Sequence, residues 1–133
     1  MRVYCFRGTR AVNDVTVDLS AMPKPLCKGS VHKGFYERFM NVINQFPLQS
    51  TISRVLVTGH SLGGAVSQCG YLILKLMHPY IPVVAVTFGC PCCVSSEIMN
   101  IEEPREVVNF VNEGDYIPTI TIKRYTSNLY VSQ

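Results

Sequence analysis

Ser61 lies between two glycines, each two residues away, in the run Gly59-His60-Ser61-Leu62-Gly63, and Gly64 follows. The β-branched run Arg54-Val55-Leu56-Val57-Thr58 ahead of it reads as a strand. Behind it, Ala65, Val66, Cys69, Leu72, Ile73, Leu76 and Met77 fall on one helical stripe that stops at Pro79. The chain must therefore pass from strand to helix within a few residues, with the serine at the tip. Gly59 and Gly63 occupy the points where a Cβ would strike a neighbouring strand or helix. A turn of this kind lifts the hydroxyl above the C-terminal edge of a sheet, in front of the N–H groups and positive dipole end of the helix. The chemistry this suits is acyl transfer. The serine oxygen attacks a carbonyl and the Leu62 N–H points at the developing oxyanion, a kind of donor worth roughly 3 kcal/mol where one has been removed.

Other residues extend the arrangement. Phe6-Arg7-Gly8-Thr9 closes an N-terminal strand, so the Thr9 N–H, helped by its hydroxyl, is a candidate second oxyanion donor. Asp115 sits in Asn112-Glu113-Gly114-Asp115, directly after a strand ending at Val111. That is where an acid belongs if it is to orient a histidine base in the chain order Ser, Asp, His. Thr87-Phe88-Gly89-Cys90-Pro91 ends the strand between them. The histidines are His32, His60 and His78, and none follows Asp115. His60, next to the serine, is expected to point into the junction of sheet and helix; His78 is expected to cap the far end of the helix after the elbow.

These groups need elements to hold them. Arg2 to Phe6 reads as a buried strand and Ala11 to Gly29 as mostly loop. Lys33 to Phe46 carries Phe35, Phe39, Val42, Ile43 and Phe46 at helical spacing and ends at Pro47. Val83 to Phe88 and Glu106 to Val111 read as further apolar strands, and Thr119 to Val131 as a terminal hairpin. Strands apolar on both faces, alternating with helices, predict a single α/β domain over 1–133 with a mostly parallel sheet and helices on both faces. A buried strand at the very start needs a neighbour on each side, so the sheet is expected to be incomplete at both ends.

Apolar residues make up 47% of the 133 and charged residues 16%, which excludes a disordered chain and favours buried strands. The net charge of +3 is spread out apart from Lys123-Arg124, so no nucleic-acid footprint is expected. No apolar run is long enough to span a membrane, and the N-terminus lacks the apolar centre of a signal peptide. As written, the chain is expected to be cytoplasmic. The six cysteines fit neither a secreted disulfide framework nor paired C-x-x-C ligands and read mainly as small buried apolar residues. Cys90-Pro91-Cys92-Cys93 is the one cluster suited to binding metal or oxidising, and no metal or cofactor is expected.

The sequence resembles the class 3 lipases, the fungal lipase-like family of the α/β-hydrolase fold, which includes acylglycerol lipases and feruloyl esterases. The resemblance rests on Phe6-Arg7-Gly8-Thr9, Val31-His32-Lys33-Gly34-Phe35, Val57 to Ala65 around the elbow, Thr87-Phe88-Gly89 with Pro91, and Val107-Val108-Asn109 with Asp115 and Pro118. These pieces stand in family order along nearly the whole chain. The resemblance implies Ser61 as nucleophile, Asp115 as triad acid, and Thr9 with Leu62 as the oxyanion hole. It implies a lid at Ala11 to Leu19, here without Trp and with few large apolar residues, and His32 as a structural residue or pocket wall. The implied partner is a lipid or other ester, with transient contact at a membrane or lipid interface. The Cys90-Pro91-Cys92-Cys93 run departs from the family pattern. The family draws its base from a loop well beyond the acid, where this chain has no histidine. Two expectations follow: a fragment of a working serine ester hydrolase, or a lipase-like module that binds acyl groups or proteins without hydrolysis.

Overall fold

A computed structural model describes residues 1–8, 23–91, 93–95 and 106–115, and the backbone of 131–132. In chain order the elements are strands β1 (Arg2–Phe6), β2 (Pro23–Leu26) and β3 (Gly29–His32), helix α1 (Lys33–Gln45), strand β4 (Val55–His60), helix α2 (Leu62–Met77), and strands β5 (Val83–Phe88), β6 (Val107–Phe110) and β7 (Val131–Ser132). The apolar runs pair into one sheet of order β1-β4-β5-β6-β7, and every neighbouring pair is parallel. Parallel pairing requires crossovers between strands, and α2 supplies the one from β4 to β5.

The register sorts the side chains. Tyr4, Val57, Ala85 and Val107 form one row, and Phe6, Gly59, Thr87 and Asn109 the next row on the same face. Both α1 and α2 pack on this face, where Phe35, Phe39 and Ile43 of α1 join Ala65, Val66, Cys69, Ile73 and Leu74 of α2 in the core. Phe39 shows why the helices come so close. A Cβ on Gly70 of α2 would collide with its ring, which also meets Tyr4 edge-on at 6.1 Å and Phe6 at 5.7 Å between centroids. The Tyr4 hydroxyl donates to the Phe46 carbonyl at 2.7 Å, tying β1 to the end of α1. Burial pushes the Tyr4 phenol above its ordinary 10.0, with Arg2 pulling slightly the other way. The opposite face carries Cys5, Thr58, Val86 and Val108, then His60, Phe88 and Phe110, and no described helix covers it.

Several local expectations are corrected. Within the segment read as loop, β2 and β3 form an antiparallel ribbon around a tight turn with Cys27 at φ 51°. Leu26↔Gly29 and Lys24↔Val31 fall at hydrogen-bonded pairs, so Pro23 and Pro25 face outward and need no N–H. Prolines that usually argue against a strand are tolerated here because they share the free edge. At the other end, Val131 pairs parallel with Asn109, and residues 119–130 of the expected terminal hairpin lie outside the described residues. The stripe of α2 fades early: Leu76 and Met77 are about half exposed, whereas the first ten residues are buried on all sides. Cys69, Cys90 and Cys93 are buried as read, but Cys5 and Cys27 are exposed.

Candidate active site

The elbow is built by backbone crowding. Gly59 and Gly63 face each other across the turn, so a Cβ on Gly59 would meet the Gly63 carbonyl group and, at 2.7 Å, the Phe6 oxygen. A Cβ on Gly63 would collide with the Phe6 carbonyl and come within 2.9 Å of the Arg7 carbonyl carbon. A third close approach was not anticipated from the sequence. A Cβ on Gly8 would stand 2.6 Å from the His60 oxygen and 3.5 Å from the Ser61 Cβ. The end of β1 therefore runs directly over the serine, and it leads into Thr9, which lies outside the described residues.

Ser61 takes the strain of this turn. Its φ is 54° and ψ −125°, one of two non-glycine residues with positive φ among those described. A side chain in that region costs about 1–3 kcal/mol and is held only where the surroundings fix it. The fixing bonds are Ser61 N–H to the Phe88 carbonyl at 2.9 Å and Ala65 N–H to the Ser61 carbonyl at 3.2 Å. A serine at the first boundary of a helix ordinarily caps it. Ser61 does not, so its hydroxyl is not committed to the helix start. Leu62 is fully buried and opens α2, where N–H groups have no intrahelical acceptor. The first turn holds no acidic side chain, which leaves the positive dipole end unopposed.

On the far side of the edge, Gly89 (φ 55°) is the seat of Asp115. A Cβ there would lie 2.6 Å from Asp115 Oδ2 and 3.7 Å from His60 Nε2, so carboxylate and imidazole flank the same α-carbon. This corrects the orientation expected of His60. β4 runs two residues further than the apolar pattern suggested, Gly59 takes the helix side, and His60 consequently points to the exposed outer face beside Phe88 and Phe110. Those two rings stack at 5.4 Å between centroids and are both more than two-fifths exposed. His32 is placed apart from the elbow: it is 1% exposed, its ring stacked 4.0 Å from Phe35, and its backbone N–H donates to the Cys93 carbonyl at 3.0 Å. His78 ends α2 through its own N–H to the Leu74 carbonyl, at the opposite end of that helix from Ser61.

A buried polar chain beneath the edge went unread in the sequence. Gln68 Nε2 donates to Thr87 Oγ1 at 3.1 Å, and Thr87 donates to Asn109 Oδ1 at 3.0 Å. Asn109 also accepts from the Cys90 N–H at 3.1 Å and donates to the Cys90 carbonyl at 3.4 Å, so its amide mimics one more strand residue for the turn after β5. With Gly89 N–H donating to the Phe110 carbonyl at 2.7 Å, the turn that seats Asp115 is fastened to β6. The signal was present: Thr87 and Asn109 are polar residues at inward positions of apolar strands, and buried polar groups require partners. Among the described residues, no group of three or more His, Cys, Asp or Glu side chains is arranged to hold a metal ion, and no helix is long and apolar enough to cross a membrane.

A parallel sheet with a strained serine elbow at its C-terminal edge defines an α/β-hydrolase-type domain, and the comparisons agree. Residues 3–125 match the family model for lipase (class 3). A secreted mono- and diacylglycerol lipase of Gibberella zeae is 31% identical over 117 residues, covering 67% of this chain and 29% of that protein. Among solved structures, a lipase from Rhizopus microsporus var. chinensis superposes with TM-score 0.75 at 22% identity, covering 92% of this chain and 50% of that one. The Rhizomucor miehei triacylglyceride lipase gives 0.66 at 26% identity, with 92% and 54% covered. The chain belongs to the class 3 lipase family, and it spans about half the length of these solved relatives and under a third of the curated one.

Proposed function

We propose that this protein is a serine ester hydrolase that acts on acylglycerol-type esters through an acyl-enzyme on Ser61. The observation that carries the reading is the strained, non-capping Ser61 at the start of α2, which is unnecessary for a helix boundary and suited to a nucleophile. In this reading a histidine base takes the Ser61 proton as Oγ attacks the ester carbonyl. The N–H groups of Leu62 and Thr9 receive the oxyanion, and the same histidine protonates the departing alcohol. Water then repeats the sequence on the acyl-enzyme and releases the acid. Asp115 orients the base from its seat against Gly89. The open row of His60, Phe88 and Phe110 beside the elbow offers an apolar approach for an acyl chain or lipid interface.

The base is assigned to none of the three histidines. His32 is enclosed between Phe35 and the Cys93 segment, His78 lies about 24 Å from the elbow by the length of a 16-residue helix, and His60 precedes the nucleophile on its own strand. We place it on a segment outside these 133 residues that reaches Asp115, in keeping with relatives of about twice the length. Hydrolysis of a short-chain nitrophenyl ester tests this. The 133-residue chain is expected to give little or no turnover, and a longer polypeptide carrying that histidine to give turnover lost in Ser61→Ala. Robust Ser61-dependent hydrolysis by the 133 residues alone would overturn the placement of the base. A folded, longer protein without esterase activity would favour a non-catalytic acyl-binding module.

A further inference from the structure

Asn109 stands on β6 with its side chain on the helix-covered face, in the row it shares with Phe6, Gly59 and Thr87. Its amide is placed by its neighbours. Oδ1 accepts the Cys90 N–H at 3.1 Å and the Thr87 hydroxyl at 3.0 Å, shorter than the 3.4 Å from that hydroxyl to the Val108 carbonyl, and Nδ2 donates to the Cys90 carbonyl at 3.4 Å. Thr87 in turn accepts from Gln68 Nε2 at 3.1 Å, and the Cys93 thiol donates to Gln68 Oε1 at 3.7 Å, which fixes the way the Gln68 amide faces. The bonds run without a break from α2 to β6, and Gln68, Thr87 and Asn109 are all buried.

What these bonds hold is the turn after β5. Gly89 N–H still follows the ladder, donating to the Phe110 carbonyl at 2.7 Å, but its φ of 55° takes the chain off the line of the strand. Cys90 is thereby turned to the helix side, where its Cβ lies 3.0 Å from the place of a Cβ on Gly64. Asn109 binds both backbone groups of Cys90 in that position, as a neighbouring strand would. An apolar side chain of the same size would fill the space but deprive the buried Cys90 N–H of this acceptor. The kink bears on the active site from two sides. The space beside the Gly89 α-carbon is taken by Asp115 Oδ2, 2.6 Å from where a Cβ would stand, and the Phe88 carbonyl one residue earlier receives the Ser61 N–H at 2.9 Å. Two consecutive residues of one turn therefore touch the backbone of Ser61 and the carboxylate of Asp115.

We propose, on the reading of Ser61 as nucleophile and Asp115 as acid, that Asn109 is a positioning residue of the hydrolase. Locked by Thr87 and Gln68, its amide holds Gly89 in the conformation that seats the Asp115 carboxylate, and so sets the acid at a fixed distance from Ser61. Asn109 touches neither the ester nor the reacting atoms and acts through Asp115. The loop that carries Asp115 is closed by its own N–H on the Asn112 carbonyl at 3.1 Å, a bond that holds the backbone of the acid, whereas the Gly89 seat meets its carboxylate. A relaxed kink would leave the acid on its loop but out of line with the base, and a misplacement of about 1 Å can lower a rate about a hundredfold.

The test follows hydrolysis of a short-chain nitrophenyl ester across pH in the longer polypeptide that carries the histidine base. Thr87→Val keeps the shape of the side chain and removes the hydroxyl that locks the Asn109 amide; Thr87→Ser keeps that hydroxyl. Thr87→Val is expected to lower kcat about tenfold at unchanged KM, a part of the loss that full misplacement would bring. It is also expected to move the rising limb of kcat/KM to lower pH, because a base whose carboxylate is misaligned loses stabilisation of its protonated form. Thr87→Ser is expected to restore both. Gln68→Met, one hydrogen bond further from the turn, reads the same relay should the valine variant not fold, with a smaller loss of kcat and the same direction of pH shift. In an Asp115→Asn background Thr87→Val is expected to change kcat by less than about twofold, since the group it acts through is already removed. Wild-type kcat and pH limb in the folded variants, or an equal loss in both backgrounds, would overturn the positioning role and leave the hydrolase reading standing. A wild type without Ser61-dependent turnover would overturn both.

Discussion

Replacing Gly63 by alanine separates two physical effects that push in opposite directions. Gly63 is the second residue of α2, and on helix propensity alone alanine should stabilise by up to about 1 kcal/mol. The new methyl would instead overlap the Phe6 carbonyl, with the Phe6 and Arg7 carbonyl carbons at 2.7 and 2.9 Å. These are backbone atoms at the end of β1, which is paired with β4 along its whole length, so no side chain can rotate away. Relief requires moving the strand end and the helix start apart by roughly an ångström, which forfeits a large part of the contact energy on both sides. Overpacking of this type costs about 1–3 kcal/mol, and a backbone obstacle places it at the upper end. The net expectation is a loss of about 2 kcal/mol, or a Tm lower by about 8 °C for a domain of this size. Urea unfolding followed by far-UV circular dichroism measures it. Gly114→Ala is the control, since its φ of 82° costs about 1 kcal/mol but nothing lies within 4 Å of the new Cβ. A Gly63→Ala chain as stable as the parent, or more stable, would refute the crowding account of the elbow.

Two further outcomes follow from the packing. Asn109→Ala removes the acceptor for Thr87 and Cys90 and the donor to the Cys90 carbonyl in a site 4% exposed; a loss of about 2–4 kcal/mol by urea unfolding is expected, against under about 1 kcal/mol for the half-open Lys75–Glu106 pair in Glu106→Gln. Burial raises the folded-state Tyr4 phenol above its unfolded value, so its contribution to stability is fully present below about pH 10 and is lost as pH rises through the folded pKa. Absorbance titration should show Tyr4 ionising later than in the unfolded chain, and Tyr4→Phe should remove that part of the alkaline loss.

What the sequence made legible were features set by local rules. The elbow was readable because two glycines at fixed offsets from a serine, between a β-branched run and a helical stripe, leave few conformations open. The sheet was readable because apolar runs of strand length alternate with a helical pattern. The β2–β3 ribbon was not, because Pro23 and Pro25 are compatible with a strand only when both fall on its unpaired edge, which depends on register. The orientation of His60 turned on whether β4 ended at Thr58 or two residues later, since each residue added reverses the face. The seat of Asp115 on Gly89 and the Gln68-Thr87-Asn109 chain join residues about twenty or more apart, contacts that no spacing rule encodes. Thr9 and the segment Ala11 to Leu19, read from the sequence as oxyanion donor and lid, lie outside the described residues.

The central claim is that Ser61 is a nucleophile, and covalent capture addresses it most directly. A fluorophosphonate probe is applied to the longer polypeptide that carries the proposed histidine, and the adduct is located by peptide mapping. The account predicts a single adduct on Ser61, in peptide 55–75, absent in Ser61→Ala and after thermal unfolding. A folded protein that takes up no probe, or one that is labelled equally in Ser61→Ala, would contradict it.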